Sequence, residues 1–372
     1  MIPKIVLLKF ALLIAMGCLS QVVLAKQYLQ AVARVSGESW ILSQFLGEGG
    51  EAEVYLAEGQ SPDNRGKKIA VKIFHESLFP VNYWSIRYPV LFDGSSGSDH
   101  FLPMDKPERM AVTASESDQP KQLWGVKSEL ASAQDLWDIR KELDLSRRSR
   151  RKGPDVYRER ILALHRVAKD LVAGLDHLAS HKLSHGDIKA ANVLFLGERD
   201  IPVTAASLAA GTHRAVISDI GNVAAQPAVG TPYYRAPERK GILGLFGRSY
   251  PVSDYYSLGI TLAEVIHSRR LSDDRVNLAR ELYHFANNLS EPDLKKKLGD
   301  VAQLLQAVDA ADPQVRVANL KELLGSRNSL ITADQVRRLG DAGEAVPNLV
   351  GLSQSTCGLV RWFQGTGAHR KR

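Results

Sequence analysis

The chain has 372 residues, 44% hydrophobic and 24% charged, an ordinary globular composition with enough length to bury a large core. Lys and Arg outnumber Asp and Glu by 48 to 41, and much of the +7 excess is local, in Arg147, Arg148, Arg150, Arg151 and Lys152 and in His369-Arg370-Lys371-Arg372. Such runs hold phosphate, acidic protein or anionic lipid, or are solvated loop and tail. Cys18 and Cys357 are the two cysteines, which excludes a disulfide framework.

In chain order, Lys4 and Lys9 come first, then an apolar run from Phe10 to Ala25 that ends in Val23-Leu24-Ala25 before Lys26. This reads as a cleaved signal peptide over residues 1–25, with an uncleaved membrane anchor as the alternative. The run is short for a membrane span, and Gly17, Ser20 and Gln21 dilute it. Ala15-Met16-Gly17-Cys18 is a poorer match to a lipoprotein cleavage site. Either favoured reading exports the remainder, or leaves it in contact with a membrane through this segment. Residues 26–40 read as a connector.

From Ile41 to Ala57 the pattern is strand, Gly-rich turn, strand, with Leu46-Gly47-Glu48-Gly49-Gly50-Glu51-Ala52-Glu53-Val54 at the turn. Glycine there lets backbone N–H groups approach a phosphate without a Cβ in the way. Ile69-Ala70-Val71-Lys72 follows as a β-branched strand ending in lysine. Residues 74–122 are the least legible. Pro80 and Pro89 limit any helix, Asp93 lies beside Gly94 in a turn-like stretch, and residues 114–121 read as a surface loop. Leu123-Trp124-Gly125-Val126 is strand-like, and Leu136-Trp137-Asp138-Ile139 is a short helix. Between Tyr157 and Ser180, Ile161, Leu164, Leu171, Leu175 and Leu178 fall near one helical face. The stretch from Phe195 to Ala215, with Gly197 and Gly211 near its ends, reads as an exposed insertion. A short helix is expected from Ile331 to Leu339, and glycines and Pro347 mark a loop-rich remainder. Within that remainder Leu359-Val360-Arg361-Trp362-Phe363 is an apolar patch that docks on the domain or touches a membrane or partner. Asn288-Leu289-Ser290 matches a glycosylation sequon, which a chance match also explains. No internal repeat, zinc-ligand cluster or nucleic-acid-binding motif appears, and no nucleic-acid partner is expected.

The richest segment is His185-Gly186-Asp187-Ile188-Lys189-Ala190-Ala191-Asn192, followed by Asp219-Ile220-Gly221 and Ala236-Pro237-Glu238. It supplies a carboxylate, a cation and a metal-binding amide in eight residues. Here the chain resembles the protein kinase family, whose corresponding motifs read HRD-K-N, DFG and APE. The resemblance extends over about residues 41–326. Gly47, Glu48, Gly49, Gly50, Ala52 and Val54 then resemble the loop that covers ATP phosphates, with Ala52 where the family has its third glycine. Lys72 resembles the lysine that reaches the α- and β-phosphates. Glu129-Leu130 resembles the segment whose backbone binds adenine. The family also has a helix glutamate that pairs with the lysine. Glu76, Asp93, Glu108 and Glu116 are the acidic residues weighed for that role, and none is assigned.

The resemblance implies a two-lobed α+β fold with a small β-rich N-lobe and a larger, mainly helical C-lobe. The kinase domain is expected over residues 41–326 and a tail over 327–372. Asp187 would orient the attacking hydroxyl, Lys189 neutralise the transferring phosphoryl, and Asn192 and Asp219 hold Mg²⁺. Gly230-Thr231-Pro232-Tyr233-Tyr234-Arg235-Ala236-Pro237-Glu238 resembles the substrate-docking segment of Ser/Thr kinases, where the residue matching Thr231 bonds the aspartate and lysine. Asp254 resembles the aspartate that holds the catalytic loop backbone. Arg316 stands where the family pairs an arginine with Glu238. The expected activity is ATP- and Mg²⁺-dependent phosphorylation of serine or threonine in protein substrates. The alternatives are a pseudokinase scaffold, favoured by the unassigned partner of Lys72, and a small-molecule kinase, since aminoglycoside-type kinases share an HGD…N loop. Gly186 replaces an arginine that contacts a phosphorylated activation loop in many kinases, so activity without that phosphorylation is expected.

Overall fold

The computed structural model describes residues 28–49, 52–75, 88–89, 91–95, 97–114, 118–132, 134–146, 154–199, 201–220, 230–240, 251–269 and 275–341. The N-terminal apolar run, both basic runs, both cysteines, Gly50, Glu76, Glu116 and residues 359–363 lie outside them. Among the described residues no helix is long and apolar enough to cross a membrane. The described residues divide into two compact units, one drawn from residues 28–75 and 103–130, the other from 88–102 and 131–341.

The first unit is a closed antiparallel barrel. Its strands are β1 (Val32–Val35), β2 (Glu38–Glu48), β3 (Ala52–Gly59), β4 (Lys68–Phe74), β5 (Glu108–Thr113) and β6 (Lys121–Ser128), in spatial order β1-β2-β3-β4-β6-β5. Alternation builds it. Along β3, Tyr55 and Ala57 are buried while Val54, Leu56 and Glu58 are half-exposed, as a strand with one face on a core requires. Ala33, Val35, Leu42, Tyr55, Val71, Ile73, Met110 and Val112 form the interior. Closure comes from β1, which pairs with both β2 (Val32 opposite Ile41) and β5 (Val32 opposite Thr113). Residues 32–40 are therefore not connector, as the sequence suggested. They complete the barrel, and its sheet has no free edge there. The reason it escaped notice is length: four residues of β1 are too few for a periodicity to stand out.

The second unit is mainly helical. Among the described residues its helices are α1 (Pro154–Ser180), α2 (Ala205–Ala210), α3 (Pro251–His267), α4 (Arg275–Asn287), α5 (Pro292–Val308), α6 (Pro313–Gly325) and α7 (Ala333–Asp341). A two-stranded hairpin, β7 (Val193–Gly197) and β8 (His213–Ile217), accompanies them. The residues predicted to line one face of α1 are buried, and α3 is buried from Pro251 to Ile266, the signature of a helix enclosed on all sides.

Two expectations are corrected here. The stretch joining β7 to β8 is a built element rather than an exposed insertion. Val203, Ala205 and Leu208 are buried, Thr204 and Ser207 form a reciprocal capping box at the start of α2, and Gly211 ends it in a left-handed conformation at φ 85°. The domain also continues past residue 326. Val336 and Leu339 of α7 are buried, and Arg338 forms an ion pair with Asp176 of α1. Leu339→Ala is expected to destabilise the protein by about 2–5 kcal/mol, the cost of emptying a buried leucine site, read as a lowered urea midpoint. A midpoint equal to that of the unaltered chain would place α7 outside the cooperative core.

Candidate active site

In the first unit, the predicted phosphate-covering residues lie at the β2–β3 turn. Gly47 pairs with Val54 and Glu48 with Glu53, and the Gly49 N–H donates to the Ala52 carbonyl at 2.9 Å. Gly50 lies outside the described residues. Lys72 sits on β4 opposite Val54 of β3 and Val126 of β6, with its ammonium 5.3 Å from the Phe74 ring centroid. Glu129 follows β6 and is exposed, and its N–H donates to the Pro103 carbonyl at 2.8 Å. Glu108 is placed in strand β5, where it accepts from Ser36 at 2.6 Å. It is therefore not the helix glutamate weighed as a partner for Lys72.

In the second unit, the residues between α1 and β7 form a loop fixed from below by α3. The Asp254 carboxylate accepts the backbone N–H groups of His185 (2.6 Å) and Gly186 (2.9 Å). Burial pushes this carboxyl up, against the opposing pull of Arg239 and of the two backbone N–H groups. His185 is fully buried, with Nε2 3.0 Å from the Ser218 carbonyl and Nδ1 accepting the Asp187 N–H at 3.3 Å. A ring proton on Nε2 satisfies both contacts. Gly186 takes φ 84°, which favours glycine at this position.

Above this support, Asp187, Lys189 and Thr231 close a ring. The Lys189 ammonium donates to Asp187 Oδ2 (2.7 Å) and Thr231 Oγ1 (2.9 Å), and the Thr231 N–H donates to Asp187 Oδ1 (2.6 Å). The Asn192 amide donates to the Asp187 carbonyl at 2.8 Å and approaches Oδ2 at 3.3 Å, which turns its own Oδ1 away from that residue. Burial raises the Asp187 carboxyl, but Lys189 and Thr231 outweigh it and hold the group below the usual carboxylate range. The turn carrying Thr231 packs closely: a Cβ on Gly230 would fall 2.3 Å from the Gly186 carbonyl oxygen. Asp219 follows β8 with φ 58°, a backbone conformation uncommon outside glycine and one that clusters at functional positions.

Glu238 and Arg316 meet as a bidentate pair, Nη1 to Oε1 at 3.0 Å and Nη2 to Oε2 at 2.8 Å. The fully buried guanidinium uses its remaining N–H groups on the carbonyls of Ala310 (2.7 Å), Val252 (3.0 Å) and Ala311 (3.0 Å), so all five donors are satisfied. Two contributors were not singled out from the sequence. Arg239 is buried at 2% exposure and donates to the Gly186 carbonyl at 3.0 Å. Glu264 is fully buried on α3 and accepts the Tyr234 hydroxyl at 2.6 Å. A lone charge inside the apolar run Leu262–Ile266 was the available signal for Glu264. Arg239 carried none, since Arg239-Lys240 reads as exposed basic residues.

The carboxylate braced by a lysine and a threonine, with an amide beside it, thus lies in the segment that resembles the protein kinase catalytic loop. The protein kinase domain family matches residues 121–327, more than half of the chain, and the chain belongs to the protein kinase family. It is 35% identical over 108 residues to the mitogen-activated protein kinase kinase MKK2 of Pyricularia oryzae, covering 28% of this chain and 18% of that protein. It is 31% identical over 195 residues to the serine/threonine-protein kinase TAO1-A of Xenopus laevis, covering 49% of this chain and 18% of that protein. The chain thus spans about a fifth of the length of these relatives. The solved kinase domain of Mycobacterium tuberculosis PknI, a double mutant, is similar at a TM-score of 0.43 and 17% identity over 82% of this chain and 94% of that one.

Glu238→Ala leaves Arg316 buried without its counter-charge and is expected to cost about 3–5 kcal/mol. Burial opposes ionisation of Glu238, but Arg316 holds its carboxyl below the ordinary glutamate value. Its stabilisation is therefore complete above that ordinary value and fades as pH falls through the lowered folded one. Urea unfolding of the two proteins across pH should show a gap that closes on acidification. A gap constant down to strongly acidic pH would contradict the assignment.

Proposed function

We propose that the chain is an ATP- and Mg²⁺-dependent serine/threonine protein kinase. The observation that carries this reading is the Asp187–Lys189–Thr231 ring with Asn192 beside it. Coincidental turn residues would not converge on one carboxylate from two segments more than forty residues apart. Asp187 accepts the hydroxyl hydrogen of the substrate and aligns its oxygen. With its carboxyl held low, it serves as an orienting acceptor and a weak base. Lys189, beside it, offsets charge on the transferring phosphoryl.

ATP is the phosphoryl donor in this reading. The turn of Gly47, Glu48, Gly49, Gly50, Ala52 and Val54 would cover its phosphates, Lys72 pair with them, and the backbone near Glu129 take the adenine. Asn192 and Asp219 offer an amide and a carboxylate oxygen, hard donors that suit Mg²⁺ bound by one or two side chains together with phosphates. The metal would supply charge screening of the triphosphate.

Protein rather than small-molecule acceptors are favoured because Thr231, in a segment similar to the substrate-docking stretch of Ser/Thr kinases, is tied directly to Asp187 and Lys189. Relatives named as kinases of proteins support the same class. We further propose export of the chain by its N-terminal segment, on the strength of Lys4, Lys9 and the apolar run ending at Ala25; retention as a membrane anchor is the other outcome of N-terminal sequencing of the mature protein.

Asp187→Ala is expected to lower phosphate transfer from labelled ATP to a basic protein by about 100- to 10,000-fold while nucleotide still binds. Nucleotide binding by the unaltered chain with no transfer to Ser or Thr would favour the pseudokinase scaffold. Phosphatase treatment should leave the activity in place, because Gly186 stands where many kinases have the arginine that contacts a phosphorylated activation loop; a loss would show that a phosphorylated residue is required.

A further inference from the structure

We propose that Arg239 is a positioning residue of the catalytic loop, a clamp on the Gly186 carbonyl that sets the peptide plane leading into Asp187. The inference rests on the kinase reading above and deepens it. The Gly186 peptide groups are held on both sides by charged side chains. Its N–H donates to Asp254 Oδ1 at 2.9 Å, and its carbonyl accepts from Arg239 Nη1 at 3.0 Å. Glycine at φ 84° has no Cβ to limit its rotation, so these two bonds do what a side chain elsewhere does by bulk. Asp187 is the next residue, and rotation about Gly186 swings its carboxylate away from the Thr231 N–H that it accepts.

The same guanidinium answers a second need. Asp254 is 1% exposed on a helix otherwise nearly all apolar or neutral, and a buried carboxylate requires a counter-charge. Arg239, itself 2% exposed, lies in the fields of Asp254, Glu238 and Asp187, with Arg235 opposing. Gly230 closes the remaining side: a Cβ there would lie 2.3 Å from the Gly186 oxygen, so that oxygen is boxed between Arg239 and the backbone of residue 230. Arg239 thus ties the loop bearing Asp187 to the segment that follows Thr231, through one charge-assisted hydrogen bond.

The test uses the full chain with Arg239→Met, Arg239→Lys and Arg239→Gln. Three quantities are read: kcat on a basic protein, the affinity and stoichiometry of ATP binding, and amide hydrogen exchange. For Arg239→Met, kcat should fall about 10- to 100-fold, the equivalent of one hydrogen bond to a charged group, with ATP affinity within about 2-fold. Amides of residues 185–187 should exchange about 10-fold faster while those of α5 are unchanged. Arg239→Lys should restore kcat to within about 3-fold, because it keeps a cationic donor. If the Met variant does not fold, as zero ATP stoichiometry would show, Arg239→Gln keeps a donor without charge and is expected to lie between the other two. A kcat unchanged in Arg239→Met overturns the proposal. So does a loss proportional to the unfolded fraction, with no rescue by lysine and unaltered exchange at 185–187. If the unaltered chain transfers no phosphate, the kinase reading fails by itself, and the exchange contrast alone decides whether Arg239 positions the loop.

Discussion

The second unit is organised around a single buried carboxylate. Asp254 lies within α3, and its two oxygens take the N–H groups of successive residues, His185 and Gly186. Left alone, a carboxylate in such surroundings would cost several kcal/mol and would sooner protonate than stay charged. Backbone donors and the Arg239 guanidinium oppose that cost without cancelling it, and burial still holds the carboxyl above its ordinary range. The arrangement makes a helix buried from Pro251 to Ile266 the foundation for the loop that carries Asp187. Loop residues placed by hydrogen bonds to a packed helix inherit its rigidity, a precondition for holding a reacting group in one geometry.

A second line of contacts meets this one at Asp187. With Gly186 fixed, Asp187 presents both carboxylate oxygens, one to the Thr231 backbone and one to Lys189. Thr231 is in turn fixed because its segment leads to Glu238, and Glu238 is fixed by Arg316 at the start of α6. The chain of constraint runs from α6 through the Glu238 pair to Thr231, and from α3 through Asp254 to Asp187. The two branches meet at Lys189, whose ammonium bonds both.

Much of this was legible in the sequence, and the illegible parts have physical reasons. The ordered motifs located Asp187, Lys189, Asn192, Thr231, Glu238, Asp254 and Arg316, because each sits in a short stretch whose residue types are fixed by chemistry. The helix α1 was legible because its apolar residues recur at helical spacing over 27 residues. Strand β1 was not, being four residues long and stabilised by pairing on both sides rather than by its own pattern. Helix α2 was missed for a related reason: six residues such as Ala205–Ala210 owe their helicity to caps and to packing rather than to periodicity. Arg239 was missed because burial of a cation is decided by partners distant in sequence, Gly186 and Asp254, which no local pattern announces.

The lowered carboxyl of Asp187 bears on how the proposed reaction divides its labour. A carboxylate bonded to an ammonium and to a backbone N–H gives up some of its basicity, and a full proton transfer from an alcohol to a carboxylate at the outset would be uphill in any case. That is a handicap only if the hydroxyl must be deprotonated before it attacks. In a loose phosphoryl-transfer transition state the nucleophile carries little new bond, and its proton becomes acidic late. A weak, well-placed acceptor then suffices: it orients the hydroxyl early and takes the proton when the oxygen has already begun to bond. The ring that depresses the basicity of Asp187 is also what fixes its direction, and for this chemistry direction is the scarcer commodity.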